Sequence, residues 1–438
     1  MTGPLFLALV AVVAYLVGAV PFGYLVARAR GVDILSHGSG NIGATNVGRI
    51  LGRGFGILVF VLDFAKGALP SLAAGLLTPA NVPAEWSQVT AGIAAFLGHL
   101  FPVYLRFRGG KGVATGAGVV AVLAPGPTAL ALLIWASLVA GTRYVSLASL
   151  SAAAVLCVLR VATTPEPFSG PPGVVTGFCL LAACLVAVRH RANIGRLLRG
   201  TENRFKESAT MTRLAKTLHV MAVGLWFGSA VFFTVTGLVV FDAFEKIAEK
   251  PAAERPGWLP VPPQYDRDRP SPRFPDPLRK EQGLRVGGAV VGPLFPIYFG
   301  LQAVCAAVAA ITAFGFAGSR QPGTAPRLRF AVLLAALVCV AVGWVLEWKV
   351  AELRVPRDEQ TDAVLASPAP SAAQIADAEA ARRAFVQWHL ASVLLNLVVL
   401  GLVTVAMALA ARLPSEPVAD ESRADVHIPR DGEPAAVP

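Results

Sequence analysis

The strongest constraint on this chain is its run of apolar stretches, broken only by short charged or Pro/Gly-rich segments. Seven fall in the first half, at 4–27, 55–77, 88–105, 112–125, 127–141, 144–160 and 173–188, and four in the second, at 218–241, 286–316, 330–348 and 384–411. Stretches near twenty residues match a hydrocarbon layer of about 30 Å. Inside lipid a segment must close its own backbone hydrogen bonds, which leaves helices and closed barrels. Barrel-like alternation is absent, so the chain is predicted to be all-α, a polytopic transmembrane helical protein with about seven spans and then about four. The fourth and fifth are short and separated only by Pro125, Gly126 and Pro127. A chain with 55% hydrophobic and 15% charged residues exceeds what soluble cores can hide.

Charge placement sets the expected topology. Arg28, Arg30, Arg49 and Arg53 follow the first span, Arg106, Arg108 and Lys111 the third, Arg143 the fifth, and a basic stretch from Arg189 to Lys216 the seventh. Intervening loops carry almost none, so the positive-inside rule puts the amino terminus outside and these loops in the cytoplasm of a bacterial inner membrane. The net charge of +11 is thus spent on topology and on phosphate ligands, and no nucleic-acid partner is expected. No basic residue precedes the first apolar run, which reads as an uncleaved helix. The five cysteines lie in apolar segments and the histidines are dispersed, so neither a disulfide framework nor a metal is expected.

Three segments on the cytoplasmic side carry candidate chemistry. In the first, Ser39 to Arg49, glycines interleave with Ser39, Asn41, Thr45 and Asn46. Such a backbone can turn its N–H groups toward an anion, and Arg49 adds a forked cation. A Gly/Asn-rich turn between helices accounts for the same residues. In the second, Phe107 to Thr115, Gly109, Gly110 and Gly112 surround Lys111 just before an apolar span. A helix N-terminus beside a lysine is an anion site; a positive-inside anchor on a glycine turn is the plainer alternative. Leu105 departs from the P-loop pattern. In the third, His190 to Glu202, a helix continuing out of the seventh span would set His190 and Asn193 on one face. Its arginines Arg189, Arg191, Arg196 and Arg199 fit headgroup anchoring better than catalysis.

Beyond these segments, Asp63 and Lys66 stand at helical spacing in the second span, His99 precedes the second segment, and Ser146 and Ser149 open the sixth span. Ionisable groups within spans are functional candidates, with a structural ion pair or cap as the alternative.

In order, side and surroundings, the three segments resemble the motifs of the bacterial acyl-phosphate:glycerol-3-phosphate acyltransferase family. The resemblance covers about residues 1–206 and extends to the stretches Leu62 to Gly67, Gly98 to Leu105 and Arg143 to Ser149. It implies transfer of a fatty acyl group from acyl phosphate to glycerol 3-phosphate, giving lysophosphatidic acid and phosphate, the first step of phospholipid biosynthesis. It implies His190, Asn193 and Lys111 as catalytic residues. Ser39, Asn41, Asn46, Arg49, Gly109, Gly110, Gly112, Thr115, Ser146 and Ser149 become the substrate-binding set, with the second segment holding acyl phosphate through its glycine backbone. Membrane lipids and an acyl-phosphate-forming enzyme are the further partners it implies, and no cofactor. Acyl-CoA-dependent relatives of soluble type use a His followed five positions later by Asp, an arrangement missing here.

The expected division is an acyltransferase domain over 1–211, a four-helix membrane domain over 212–413 and a disordered tail over 414–438. The second domain resembles a bacterial membrane family of unassigned function. Its loops at 242–284 and 349–383 are expected outside the cytoplasm, and its polar points His219, Glu347, Lys349, His389 and Asn396 suit helix-end anchoring or a proton path. A lipid or solute transporter is the rival reading, but such proteins place polar sites at the bilayer midplane, whereas these motifs crowd one boundary.

Overall fold

The computed structural model describes residues 2–205, 209–259, 261–263, 265–266, 278–317 and 324–411. Among them there is no strand. The first half contains α1 (Gly3–Ala19), α2 (Phe22–Ala29), α3 (Ala44–Ile50), α4 (Arg53–Leu76), α5 (Ala84–Leu100), α6 (Val113–Leu123), α7 (Pro125–Thr142), α8 (Val145–Thr163), α9 (Gly170–Arg189) and α10 (Arg191–Leu198). The second contains α11 (Ala209–Glu249), α12 (Leu278–Val291), α13 (Phe295–Ala317), α14 (Thr324–Ala366) and α15 (Ala372–Ala410). Among the described residues ten segments are long and apolar enough to cross a membrane, six of them in the first half. The chain is an integral, multi-pass membrane protein.

All seven apolar stretches of the first half are helical, but the fourth is distinctive. Helix α6 has 11 residues, about 16 Å at 1.5 Å per residue, and reaches only partway across hydrocarbon. Its depth is set by glycine contacts with α4. A Cβ at Gly118 would overlap the Phe64 carbonyl oxygen, and one at Gly67 would overlap that of Thr115. Backbones this close gain packing where water offers no driving force. The first turn of α6 is thereby held at a fixed position beside α4.

Helix α5 is the central post of this half. Its Gly98 and Ala95 pack on α1 at Tyr15 and Gly18, and Phe96 meets Phe178 of α9 edge to face with centroids 6.3 Å apart. Buried Phe96, Val119, Leu156, Phe178 and Val186 form the core between α5, α6, α8 and α9.

The second half departs from expectation in helix length. The segment 349–383, expected as a loop, continues α14 to Ala366 and begins α15 at Ala372. Its alanines, arginines and acidic residues are good helix formers, and Ser371 closes a capping box with Gln374. Helix α15, with 39 residues, is about 58 Å long, so the helices project well beyond a bilayer. The projecting ends are tied by charge: Arg285 reaches Asp358 at 3.2 Å and Asp362 at 2.8 Å, and Arg382 meets Glu281 at 2.5 Å. The expected tail lies outside the described residues.

Candidate functional site

The three candidate segments converge on a cleft of about 820 Å³. The loop between α2 and α3 forms one wall. Asn46 gives both amide hydrogens to the carbonyls of His37 and Asn41, each at 3.0 Å, and its Oδ1 accepts from Ser39 N at 2.9 Å. The Oδ1 of Asn41 accepts from Gly43 N at 2.8 Å. These two asparagines therefore shape the loop, which lines the cleft with Ser39, Asn41 and Gly43, while Thr45, Asn46 and Arg49 line it from α3. Positive φ at Gly38 and Gly40 explains the glycines, since L side chains are strained there.

The second segment is built differently from its sequence expectation. The N–H of Gly110 donates to the carbonyl of His99 at 3.1 Å. The carbonyls of Gly109 and Gly110 accept from the Arg189 guanidinium at 2.9 Å each. The Gly109–Gly110 backbone is thus anchored on α5 and α9, and neither residue lines the cleft. Gly112 does, at φ 83°, followed by Val113 and Ala114 at the start of α6. The anion-facing donors are therefore those of the first turn of α6, beside Lys111. Thr115 is buried on the α4 side and does not line the cleft, a correction to its assignment.

The third segment does not continue α9. That helix ends at Arg189, His190 is the junction, and α10 starts at Arg191. Even so, His190 and Asn193 are both buried and both line the cleft. The Nδ1 of His190 lies 2.8 Å from the Val186 carbonyl oxygen, an acceptor, so Nδ1 carries the proton and Nε2 keeps its lone pair. Burial first, and then the neighbouring Lys111 charge, lower its pKa to about 4. The imidazole is neutral at physiological pH.

One carboxylate organises these groups. Glu202 accepts from Asn193 Nδ2 at 2.6 Å and Ser146 Oγ at 2.9 Å through one oxygen, and from Arg196 Nε at 2.8 Å through the other. Burial raises its pKa, but the bonds from Asn193, Ser146 and Arg196 and the Arg196 charge outweigh it, and the net shift is downward. Asn193 in turn accepts from Lys111 Nζ at 2.5 Å. Burial lowers the Lys111 pKa to about 8, opposed by Glu202 and reinforced by Arg196, Arg49 and Arg189. Desolvation likewise lowers that of Arg49, against Glu202. Cations desolvated together are stabilised by an incoming anion.

Arg189, Arg196 and Glu202 are the residues that sequence reasoning undervalued. Their signal was position: Arg189 precedes the third segment, Arg196 lies within it and Glu202 closes it. Asp63 and Lys66 form the expected pair at 2.8 Å, and Lys66 also donates to the Val20 carbonyl at 2.8 Å, at the break between α1 and α2. Asp63 and His99 line the floor of the cleft, so the pair is structural and adjacent to the site.

A second cavity, of about 770 Å³, joins the first. Phe60, Gly112, Val113, Trp135 and Ser149 line both. Its remaining walls are apolar side chains such as Phe96, Leu132, Leu156 and Val186. Ser149 accepts from Trp135 Nε1 at 3.2 Å at the junction.

Residues 8–200 match the family described as glycerol-3-phosphate acyltransferase, and residues 284–354 match a domain of unknown function (DUF4149). The chain is 47% identical over 194 residues to the glycerol-3-phosphate acyltransferase of Geobacter sulfurreducens, covering 44% of this chain and 95% of the relative. To that of Aquifex aeolicus it is 43% identical over 193 residues, again 44% and 95%. A crystal structure of PlsY (YgiH), an integral membrane glycerol 3-phosphate acyltransferase in its glycerol 3-phosphate form, is 41% identical, with 46% of this chain and 96% of that one covered at a TM-score of 0.42. Through its first two hundred residues, this chain belongs to the glycerol-3-phosphate acyltransferase family.

Proposed function

We propose that the joined cavities transfer a fatty acyl group from acyl phosphate to glycerol 3-phosphate, releasing lysophosphatidic acid and inorganic phosphate. The observation that carries this reading is the junction itself. A polar cleft with Arg49, Lys111 and a helix N-terminus opens directly into an apolar chamber, and the two share Gly112 and Ser149. One side suits two phosphates, the other an acyl chain.

In this arrangement the acyl carbonyl sits at the junction near Gly112, its phosphate held by the first turn of α6 and Lys111. Glycerol 3-phosphate lies across the cleft with its phosphate on Arg49 and Ser39 and a terminal hydroxyl on His190 and Asn193. The hydroxyl oxygen attacks the carbonyl, a C–O ester bond forms, and the C–O bond to phosphate breaks. An acyl phosphate is an activated mixed anhydride, so positioning and charge stabilisation supply much of the rate without a covalent enzyme intermediate. His190, neutral with a free Nε2, accepts a hydrogen bond from the attacking hydroxyl and orients it. Its low basicity favours the departing phosphate as the final proton acceptor. Ser146 keeps Glu202 aligned, and Glu202 keeps Asn193 aligned.

The domain boundaries follow from the same reading: an acyltransferase domain over 1–211 and a helical membrane domain over 212–413. Cytoplasmic placement of the cleft in a bacterial inner membrane rests on the basic loops that flank it. An acyl-phosphate-forming enzyme on that side is the natural supplier of the donor.

The test is an acylation assay on the purified full-length chain with glycerol 3-phosphate, offering acyl phosphate, acyl-CoA and acyl-carrier protein in parallel. Product from acyl phosphate alone is expected. Acylation from acyl-CoA with none from acyl phosphate would overturn the donor assignment.

A further inference from the structure

The curated relatives are covered to 95% by about 194 residues of this chain, so their length leaves little room for a counterpart of the second half. What that half touches is therefore informative. It packs on α7, and α7 is two-faced. Thr128, Ala131, Leu132 and Trp135 line the apolar chamber. At 100° per residue these four fall on one stripe, and Leu133, Ile134 and Gly141 fall on the opposite one. Leu133 and Ile134 pack against the buried core of the second half, the cluster that includes Trp226 and Phe299. Gly141 meets α13 backbone to backbone: a Cβ there would come within 2.6 Å of the Ile311 carbonyl oxygen, and one at Gly315 would overlap the Gly141 carbonyl.

We propose that the second half is a brace for the acyl chamber, and that it sets which acyl-chain lengths the enzyme accepts by holding α7 in place. The proposal rests on the chamber being the acyl site. In a bare acyltransferase domain the outer face of α7 would meet fluid lipid and could yield to a longer chain. Here a glycine-to-glycine contact leaves no slack at its Gly141 end. Trp135, on the inner face of the same helix, stands where chamber and cleft join. One methylene too many or too few for an apolar pocket changes specificity by about tenfold or more, so a wall that stops or admits two methylenes changes preference by at least that much.

The experiment measures kcat/KM of the full-length chain for acyl phosphates of eight to eighteen carbons, with glycerol 3-phosphate fixed. Gly315→Leu drives a wedge between α13 and α7. Leu133→Ala and Ile134→Ala remove bulk from the same contact without a wedge, which covers the case of a Gly315→Leu protein that fails to fold. Gly401→Leu, on α15 in open space, is the control. The spread of kcat/KM across chain lengths is expected to narrow about tenfold in the α7-contact variants, with KM for glycerol 3-phosphate unchanged and the control like wild type. A profile within twofold of wild type in the folded Leu133 and Ile134 variants would overturn the brace. Wild-type protein inert toward every acyl phosphate would overturn the functional reading itself, a separable result.

Discussion

The two halves bury polar groups to opposite ends. In the second half such groups find each other across helices: Tyr298 donates to Asn396 at 2.7 Å, and His219 pairs with Thr312 at 2.9 Å. In the first half, Lys111, Arg49, Ser39 and the Nε2 of His190 face an open cleft beside an apolar chamber. Burying a polar group costs free energy unless it is bonded. The second half also buries polar atoms without a hydrogen-bond partner, among them Trp226 Nε1 and His219 Nε2, but these lie among packed helices away from the cleft and the chamber, whereas the polar groups of the site face space for a ligand. Of the polar residues of the second half that suited helix-end anchoring or a proton path, His219 and Asn396 each bond to a neighbouring helix.

That contrast breaks most sharply at Lys111. Replacing it with Ala removes the mobile cation between Asn193 and the α6 terminus. A fall of about 10²–10³ in kcat/KM is expected in the acylation assay. A loss under fivefold would remove Lys111 from the site. His190 separates orientation from base catalysis. His190→Gln preserves an acceptor and is expected to keep roughly a tenth of the activity, while His190→Ala loses about 10²-fold or more. Equal losses in the two would argue against hydrogen-bonded orientation.

Glu202→Gln keeps the shape but removes the charge that Arg196 pairs with, so a loss of about tenfold, chiefly in KM for glycerol 3-phosphate, is expected from steady-state kinetics. The pH profile follows from the directions of shift. Lys111, lowered to about 8, is charged in the free enzyme below that pH and neutral above it, so kcat/KM should fall as pH rises through about 8. His190, lowered to about 4, stays neutral down to that value, so no acid limb belonging to it should appear near 6.5. An acid limb near 6.5 that vanishes in His190→Gln would contradict the buried, neutral imidazole.

The smallest effects belong to the other half. Asn396→Leu removes two interhelical hydrogen bonds, from Tyr298 and to Thr234, each worth about 0.6 kcal/mol on average in membrane helices, and should lower thermal stability slightly while activity stays within twofold. A hundredfold loss would mean the second half carries chemistry.

Much of this organisation was legible in the sequence. Apolar length announces spans because lipid enforces hydrogen-bonded helices, and the three segments stood out because spans should contain few basic residues. The arrangement within the site was not legible. Which glycine N–H groups are free depends on Arg189 and His99, which approach Gly109 and Gly110 from other helices. The break at His190 depends on how α9 ends, and the role of Glu202 on Ser146 of α8, which joins Asn193 and Arg196 around one carboxylate. The helices through 349–383 were missed because hydropathy marks lipid-facing length, and these residues are polar helix formers beyond the lipid.

The central claim is that glycerol 3-phosphate is acylated in the Lys111 cleft. Its most direct measurement is conversion of labelled glycerol 3-phosphate to lysophosphatidic acid by the purified full-length chain with a sixteen-carbon acyl phosphate, beside the folded Lys111→Ala protein. Product proportional to wild-type enzyme, with at least a hundredfold less from the variant, is the expected result. Equal rates from both proteins, or no product from the wild type, would contradict it.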